Sequence, residues 1–167
     1  LAAVRSNGLA LRFVPEPYTK DHEIVLEAVK ADGMALFYAA EACTSSREIV
    51  LAAVRDNGCV LQCATDERRR DRDIVLAAVR RSGAALSFAA ENCKRDREIV
   101  LAAVRQSGHA LEEAAEDLRG DREIVLAAVE RDAAAFEFAP EALLLDGTFA
   151  SEVKKQCHIL KISLLSG

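Results

Sequence analysis

The sequence predicts an all-α protein, an α-solenoid of about six 25-residue two-helix repeats with a C-terminal capping helix. Three observations predict it. "EIVLAAVR" or a close variant begins at Glu23, Glu48, Asp73, Glu98 and Glu123, and its tail "LAAVR" opens the chain at Leu1. A glycine recurs at Gly8, Gly33, Gly58, Gly83 and Gly108, always 25 residues on. The chain is 51% apolar but only 5% aromatic, without tryptophan, so alanine, leucine and valine favour close helix packing. A fixed period of roughly 20–50 residues marks stacked units rather than one globular core. The array is expected over residues 1–145, with repeats starting near 1, 21, 46, 71, 96 and 121, and residues 146–167 as a cap helix and tail.

Each element follows from the residues in order. Asp21, Ser46, Asp71, Asp96 and Asp121 stand before an apolar run, where a short side-chain oxygen caps free helix N–H groups. Glu23, Glu48, Asp73, Glu98 and Glu123 add negative charge to the first turn, which suits the helix dipole. The run Ile124 to Val129 is apolar on every side, so its helix is predicted to be sandwiched between neighbours. Arg5, Lys30, Arg55, Arg80 and Arg105 close that helix with a cation. The recurring glycine follows, read as a C′ residue at positive φ.

A second helix is predicted directly after it. Leu11, Leu36, Leu61, Leu86, Leu111 and Phe136 share one column; with Ala35, Ala39, Ala40 and their equivalents they form a buried i, i+1, i+4, i+5 stripe. The opposite stripe runs through Phe37, Glu41 and Thr44, then Gln62, Asp66 and Arg69, then Ser87, Glu91 and Lys94, then Glu112, Glu116 and Arg119. The first helix is thus the constant core and the second carries the variable face.

The ends depart from the pattern. Pro15 and Pro17 interrupt the first repeat's second helix; in the last repeat Ala133 replaces the glycine, Glu130 the cation, and Pro140 enters. The register fades from Asp146, although Phe149 keeps the isoleucine column, so Phe149 to Leu165 reads as a closing helix, the alternative being a docking tail for another chain. Leu1 enters the repeat at its sixth position, so the chain is expected to be a piece of something longer.

These residues resemble the repeat called domain of unknown function 4116, whose arrays run "D-R/K-E-x-V-L-x-A-V-x-x-x-G-x-A-L-x-x-A" at this spacing. The resemblance covers Leu1 to Leu145 and departs at His22, Ser46, Ala133 and the prolines, which puts local capping in question. It implies an α-helical repeat with no settled activity and no catalytic residues to carry over. The family's spread through algae, other protists and some bacteria implies an organellar or photosynthetic complex as one setting.

Function is less legible. The net charge of −5 points to no nucleic-acid partner. Cys43, Cys59, Cys63, Cys93 and Cys157 are an odd set without C-x-x-C spacing, read as free thiols of an intracellular reducing compartment, cytoplasm or organelle, a plastid included. Cys59 and Cys63 lie i, i+4, without a histidine placed to complete a metal site. His22, His109 and His158 are scattered, with no nucleophile triad and no glycine-rich phosphate loop, so no catalytic residue, metal or cofactor is expected. No signal peptide or membrane span is read, and peripheral association with a membrane complex stays open.

Two surfaces remain as candidates. Met34, Phe37 and Tyr38 form an aromatic anchor for a protein partner, with Glu41, Asp66, Glu91 and Glu116 as an acidic row setting charge selectivity. The alternative is an arginine edge, Arg68, Arg69, Arg70, Arg72, Lys94, Arg95 and Arg97, that binds an anion on a nucleic acid or acidic lipid. Residues 66–105 hold ten cations and seven anions, and the interleaved acids favour a charge ladder paired between repeats. The reading is a non-enzymatic scaffold for other protein subunits, an adaptor or a peripheral subunit, with no small-molecule substrate.

Overall fold

The computed structural model describes residues 2–165, with side chains through Gln156, and among the described residues all regular structure is helical. Long helices His22–Ala31, Arg47–Asp56, Arg72–Arg81, Arg97–Gln106 and Arg122–Arg131 open successive repeats, preceded by Ala2–Ser6. Each of the five is preceded by its expected cap residue. The Asp21 carboxylate accepts the Ile24 N–H at 3.0 Å, and Asp71, Asp96 and Asp121 each accept two backbone N–H groups. Ser46 makes no such bond. Ser46→Asp is therefore expected to stabilise the chain by about 1 kcal/mol, read as a higher urea midpoint.

The long helices stack in sequence order. Each internal one touches the long helix before and after it, and the helical segment that follows in its own repeat and in the preceding one. Ile49, Val50, Ala53 and Val54, with their equivalents one and two repeats on, are fully buried in this sandwich. Leu11, Leu36, Leu61, Leu86 and Leu111 line its other side, also fully buried.

The second helical segment is not one α-helix. It is a six-residue 3₁₀ helix (Gly33–Tyr38), two extended residues (Ala39 and Ala40, ψ 146° and 160°) and a single α-turn (Glu41–Thr44). The same division recurs in every repeat. Residues three apart eclipse on a 3₁₀ helix, so Gly58 and Leu61 align with Ala64 just beyond it; the expected stripe is buried as well at Val60, Leu61 and Ala64, with Thr65 half-buried. The extended pair turns a backbone N–H sideways. Ala40 donates to the Thr19 carbonyl at 3.0 Å, and Thr65, Ala90 and Ala115 donate to Thr44, Arg69 and Lys94 at 3.4, 3.0 and 3.0 Å. One lateral backbone bond thus stitches these neighbouring repeats. Pro15 and Pro140 occupy this same position, where every repeat already breaks, and Pro140 brings no N–H to the Arg119 carbonyl.

The glycines serve a purpose other than the one expected. No described residue has positive φ. Instead, a Cβ on Gly33 would lie 2.6 Å from the carbonyl oxygen of Ala53, and one on Gly108 2.5 Å from that of Ala128. On Gly8, Gly58 and Gly83 it would stand closer still to Ala28, Ala78 and Ala103. Each glycine lets its segment lie directly on the next repeat's long helix. Ala133, at the same place in the last repeat, is exposed and needs no such clearance.

The register runs further than the sequence suggests. Asp146 accepts the N–H groups of Thr148 and Phe149 at 2.9 and 3.1 Å, as Asp121 does one repeat earlier. Helix Gly147–Leu165 then packs on Arg122–Arg131 with Phe149 fully buried. Residues 157–165 are described only as helical backbone, so the expectations for the Cys157 and His158 side chains lie outside the described residues.

Candidate functional site

Successive 3₁₀ helices touch along the array, so equivalent residues of neighbouring repeats become rows on one surface. Met34, Phe37 and Tyr38 are 39%, 43% and 37% exposed on this face. On a three-residue turn Met34 and Phe37 eclipse, and Tyr38 stands beside them, in place of the α-helical spacing expected. The Asn57 amide donates to Met34 Sδ at 3.1 Å. Sequence reasoning did not single out Leu9 and Phe13, which are exposed in the same rows; Tyr18, in the column of Cys43, is exposed too. Six of the seven exposed large hydrophobics among the described residues lie in the first two repeats, Leu145 being the other. The signal was present, because Leu9 and Phe13 share the rows of Met34 and Tyr38.

The acidic row is exposed throughout, Glu41, Glu91 and Glu116 outside any ion pair among the described residues and Asp66 bound by Arg69. The outward stripe ends there. Thr44 is buried and Arg69, Lys94 and Arg119 are half-buried, because the short α-turn directs that column toward the adjacent repeat. Lys94 reaches Glu113 of the next repeat at 2.8 Å. Between the third and fourth repeats a groove of about 470 Å³ runs past Asp66, Arg69, Arg70, Phe88 and Glu91. Beyond it the face turns acidic: the second segments of the last two repeats hold Glu112, Glu113, Glu116, Asp117, Glu137 and Glu141 against Arg119. That is a net −5, equal to the charge of the whole chain.

The arginine edge resolves into clamps. Arg47 donates from Nε to Asp71 at 2.8 Å and from Nη2 to Asp73 at 2.6 Å. Arg72 grips Asp96 (2.7 Å) and Glu98 in the same way, Arg97 grips Asp121 (3.2 Å) and Glu123, and Arg122 holds Asp146. Each clamp joins the start of one long helix to the capping acid of the next. Arg68 meets Glu67 and Asp71, while Arg70 and Arg95 are exposed and outside any ion pair among the described residues. Partial burial works against the carboxylates of Asp71, Asp96 and Asp121, but arginine and backbone N–H bonds outweigh it and hold them below the usual range. A depressed folded pKa contributes stability above the unfolded value and loses it as pH falls through the folded one. Thermal melts are therefore expected to be level above the ordinary carboxylate range and to drop below it, less steeply in Asp96→Asn.

Arg68 is an anomaly of another kind. It fills the column of buried Cys43 and Cys93 and half-buried Leu118, and its Nε is buried without a partner. Arg68→Leu is expected to raise stability by about 1 kcal/mol, measured by urea unfolding.

The thiols pack. Cys43 and Cys93 Sγ lie 3.6 Å from the carbonyls of Lys20 and Arg70, and burial pushes both thiols, and that of Cys63, up. Cys59 lies 3.4 Å from Ser82 Oγ and, on a 3₁₀ helix, about 120° around from Cys63, so the two do not share a face. His22 lies 3.2 Å from Ser46 Oγ, and His109 pairs with Asp132 at 2.8 Å. Among the described residues no group of three His, Cys, Asp or Glu side chains is placed to hold a metal, and no helix is long and apolar enough to cross a membrane.

Comparison with curated proteins and with solved structures gave no match. A family model does match, three times in tandem, at residues 1–42, 46–94 and 96–144. The second and third matches each span two 25-residue repeats and begin at or beside Ser46 and Asp96, where the structure starts a repeat. The chain belongs to the family Domain of unknown function (DUF4116).

Proposed function

We propose that this helical-repeat protein is a non-enzymatic scaffold that binds another protein through the face of its second segments. The carrying observation is the exposure of Met34, Phe37 and Tyr38 together on the second repeat's 3₁₀ helix, within that face. Contiguous exposed apolar surface marks contact sites, and aromatics are the commonest anchors. The chain acts as an adaptor or as a peripheral subunit, in a reducing cytoplasm or organelle, an algal photosynthetic complex among the settings. The competing anion-binding edge is less favoured, because Arg68, Arg69, Arg72, Lys94 and Arg97 are already engaged by carboxylates.

The test is affinity capture from source-cell extract with the wild-type chain, Phe37→Ala and a Arg70→Glu/Arg95→Glu double variant. Phe37→Ala is expected to weaken the captured complex about thirtyfold, the scale of a hot-spot residue, with the double variant near wild type. The reverse pattern, together with steep loss in salt, transfers the function to the arginine edge.

A further inference from the structure

This face changes chemistry along the array. The row that begins Arg12, Phe37 ends Glu112, Glu137, whereas the row that begins Phe13, Tyr38 stays largely aromatic through Phe88 to Phe138, with Glu113 between them. Glu112, Glu116, Glu137 and Glu141 are exposed and outside any ion pair among the described residues. Between the apolar end and the acidic end lies the groove lined by Asp66, Arg69, Arg70, Phe88 and Glu91. Resting on the contact-face reading above, we infer that the face takes one extended segment of a partner protein, aliphatic or aromatic at one end and rich in lysine or arginine at the other.

Charge complementarity selects this occupant. An acidic segment is repelled by the net −5 of the last two repeats, and a wholly apolar one leaves those carboxylates uncompensated. A second copy of the chain fits poorly, because its matching face carries the same sign of charge. The geometry also sets a length. Repeats two and five are three layers apart, about 30 Å at about 10 Å per layer, which about nine residues of extended chain span.

Selection from a displayed random-peptide library on the full chain, run in parallel on Phe37→Ala and on Glu112→Lys/Glu116→Lys, tests this. Enriched peptides are expected to carry an apolar block and a basic block about nine residues apart. Their affinity, by fluorescence anisotropy of the synthesised peptides, should fall about tenfold or more between about 50 mM and about 500 mM salt. The charge-reversed variant should keep the apolar block and select an acidic one in its place, a change that a merely structural role for these glutamates would not produce. Apolar peptides without a basic block, or peptides that bind the reversed variant equally well, overturn the inference and leave the contact face standing. No enrichment, or enrichment indifferent to Phe37→Ala, overturns the contact face itself.

Discussion

Gly58→Ala is expected to cost about 3 kcal/mol, at the top of the range for overpacking a core. Its Cβ would press on the carbonyl oxygen of Ala78 more closely than at any of the other four repeat glycines. That oxygen cannot rotate away, since it accepts the Ser82 N–H at 2.9 Å in the last turn of its own helix. The repeats must therefore part, and the loss falls on the whole interface between the third and fourth layers. In a linear array a weakened interface divides one unfolding transition into two, so urea curves by circular dichroism should show both a lower midpoint and a broadened slope. Gly33→Ala, with slightly more room, should be milder. Ala133→Gly is the control, expected within about 0.5 kcal/mol of wild type because that position is exposed. Equal behaviour of Gly58→Ala and Ala133→Gly would refute the close approach.

Phe149→Ala should be as damaging, at about 3–5 kcal/mol. The ring is fully buried, 6.2 Å from the Phe136 ring and beneath the Arg122 guanidinium at 5.2 Å. Its removal leaves a cavity under the last layer and takes a cation–π contact with it. Hydrogen exchange should accelerate through residues 121–156 before it does so in the first repeats. Phe13→Ala, at a ring 82% exposed, is expected within about 0.5 kcal/mol. If the two substitutions match, helix Gly147–Leu165 does not seal the array.

Much of this architecture was legible because a period of 25 residues forces every unit into one environment. The capping aspartates and the sandwiched helix follow from local chemistry repeated along the array, whereas Ser46, expected to cap like them, does not, its hydroxyl lying beside His22 instead. The second segment was misread because Gly-x-x-Leu-x-x-Ala satisfies both a three-residue and a 3.6-residue period over so short a stretch. What breaks the helix is tertiary: the N–H of Ala90 bonds the preceding repeat at Arg69. The prolines hinted at that break, since Pro15 and Pro140 hold the stitching position and look like interruptions only when a continuous helix is assumed. The glycine's role was hidden for the same reason, because a close approach to Ala78 depends on how layers meet and a glycine after a helix has a commoner explanation.

The site was legible in part. Phe37 stood out as a departure within a polar column, with Met34 and Tyr38 flanking it, whereas Phe13 sits in a largely aromatic column where Phe88 is half-buried and did not stand out. Exposure differs along one column where neighbours differ, and sequence columns alone do not carry that. Within the arginine edge Arg72 and Arg97 are clamps, because the capping acid lies 24 residues on and its companion 26, distances that only stacking makes short, while Arg70 and Arg95 stay outside any ion pair among the described residues.

Deleting residues 71–95 tests the stacked array most directly. The cut removes one whole 25-residue unit and sets Asp96 and Arg97 where Asp71 and Arg72 stood, so caps, clamps and glycine contacts all re-form. The shortened chain is expected to keep its helical circular dichroism per residue and a cooperative melt, with a maximum dimension by small-angle scattering shorter by about one layer, about 10 Å. A deletion of residues 71–82, half a unit, should abolish both. If the two deletions unfold the chain alike, the repeats do not stack by translation.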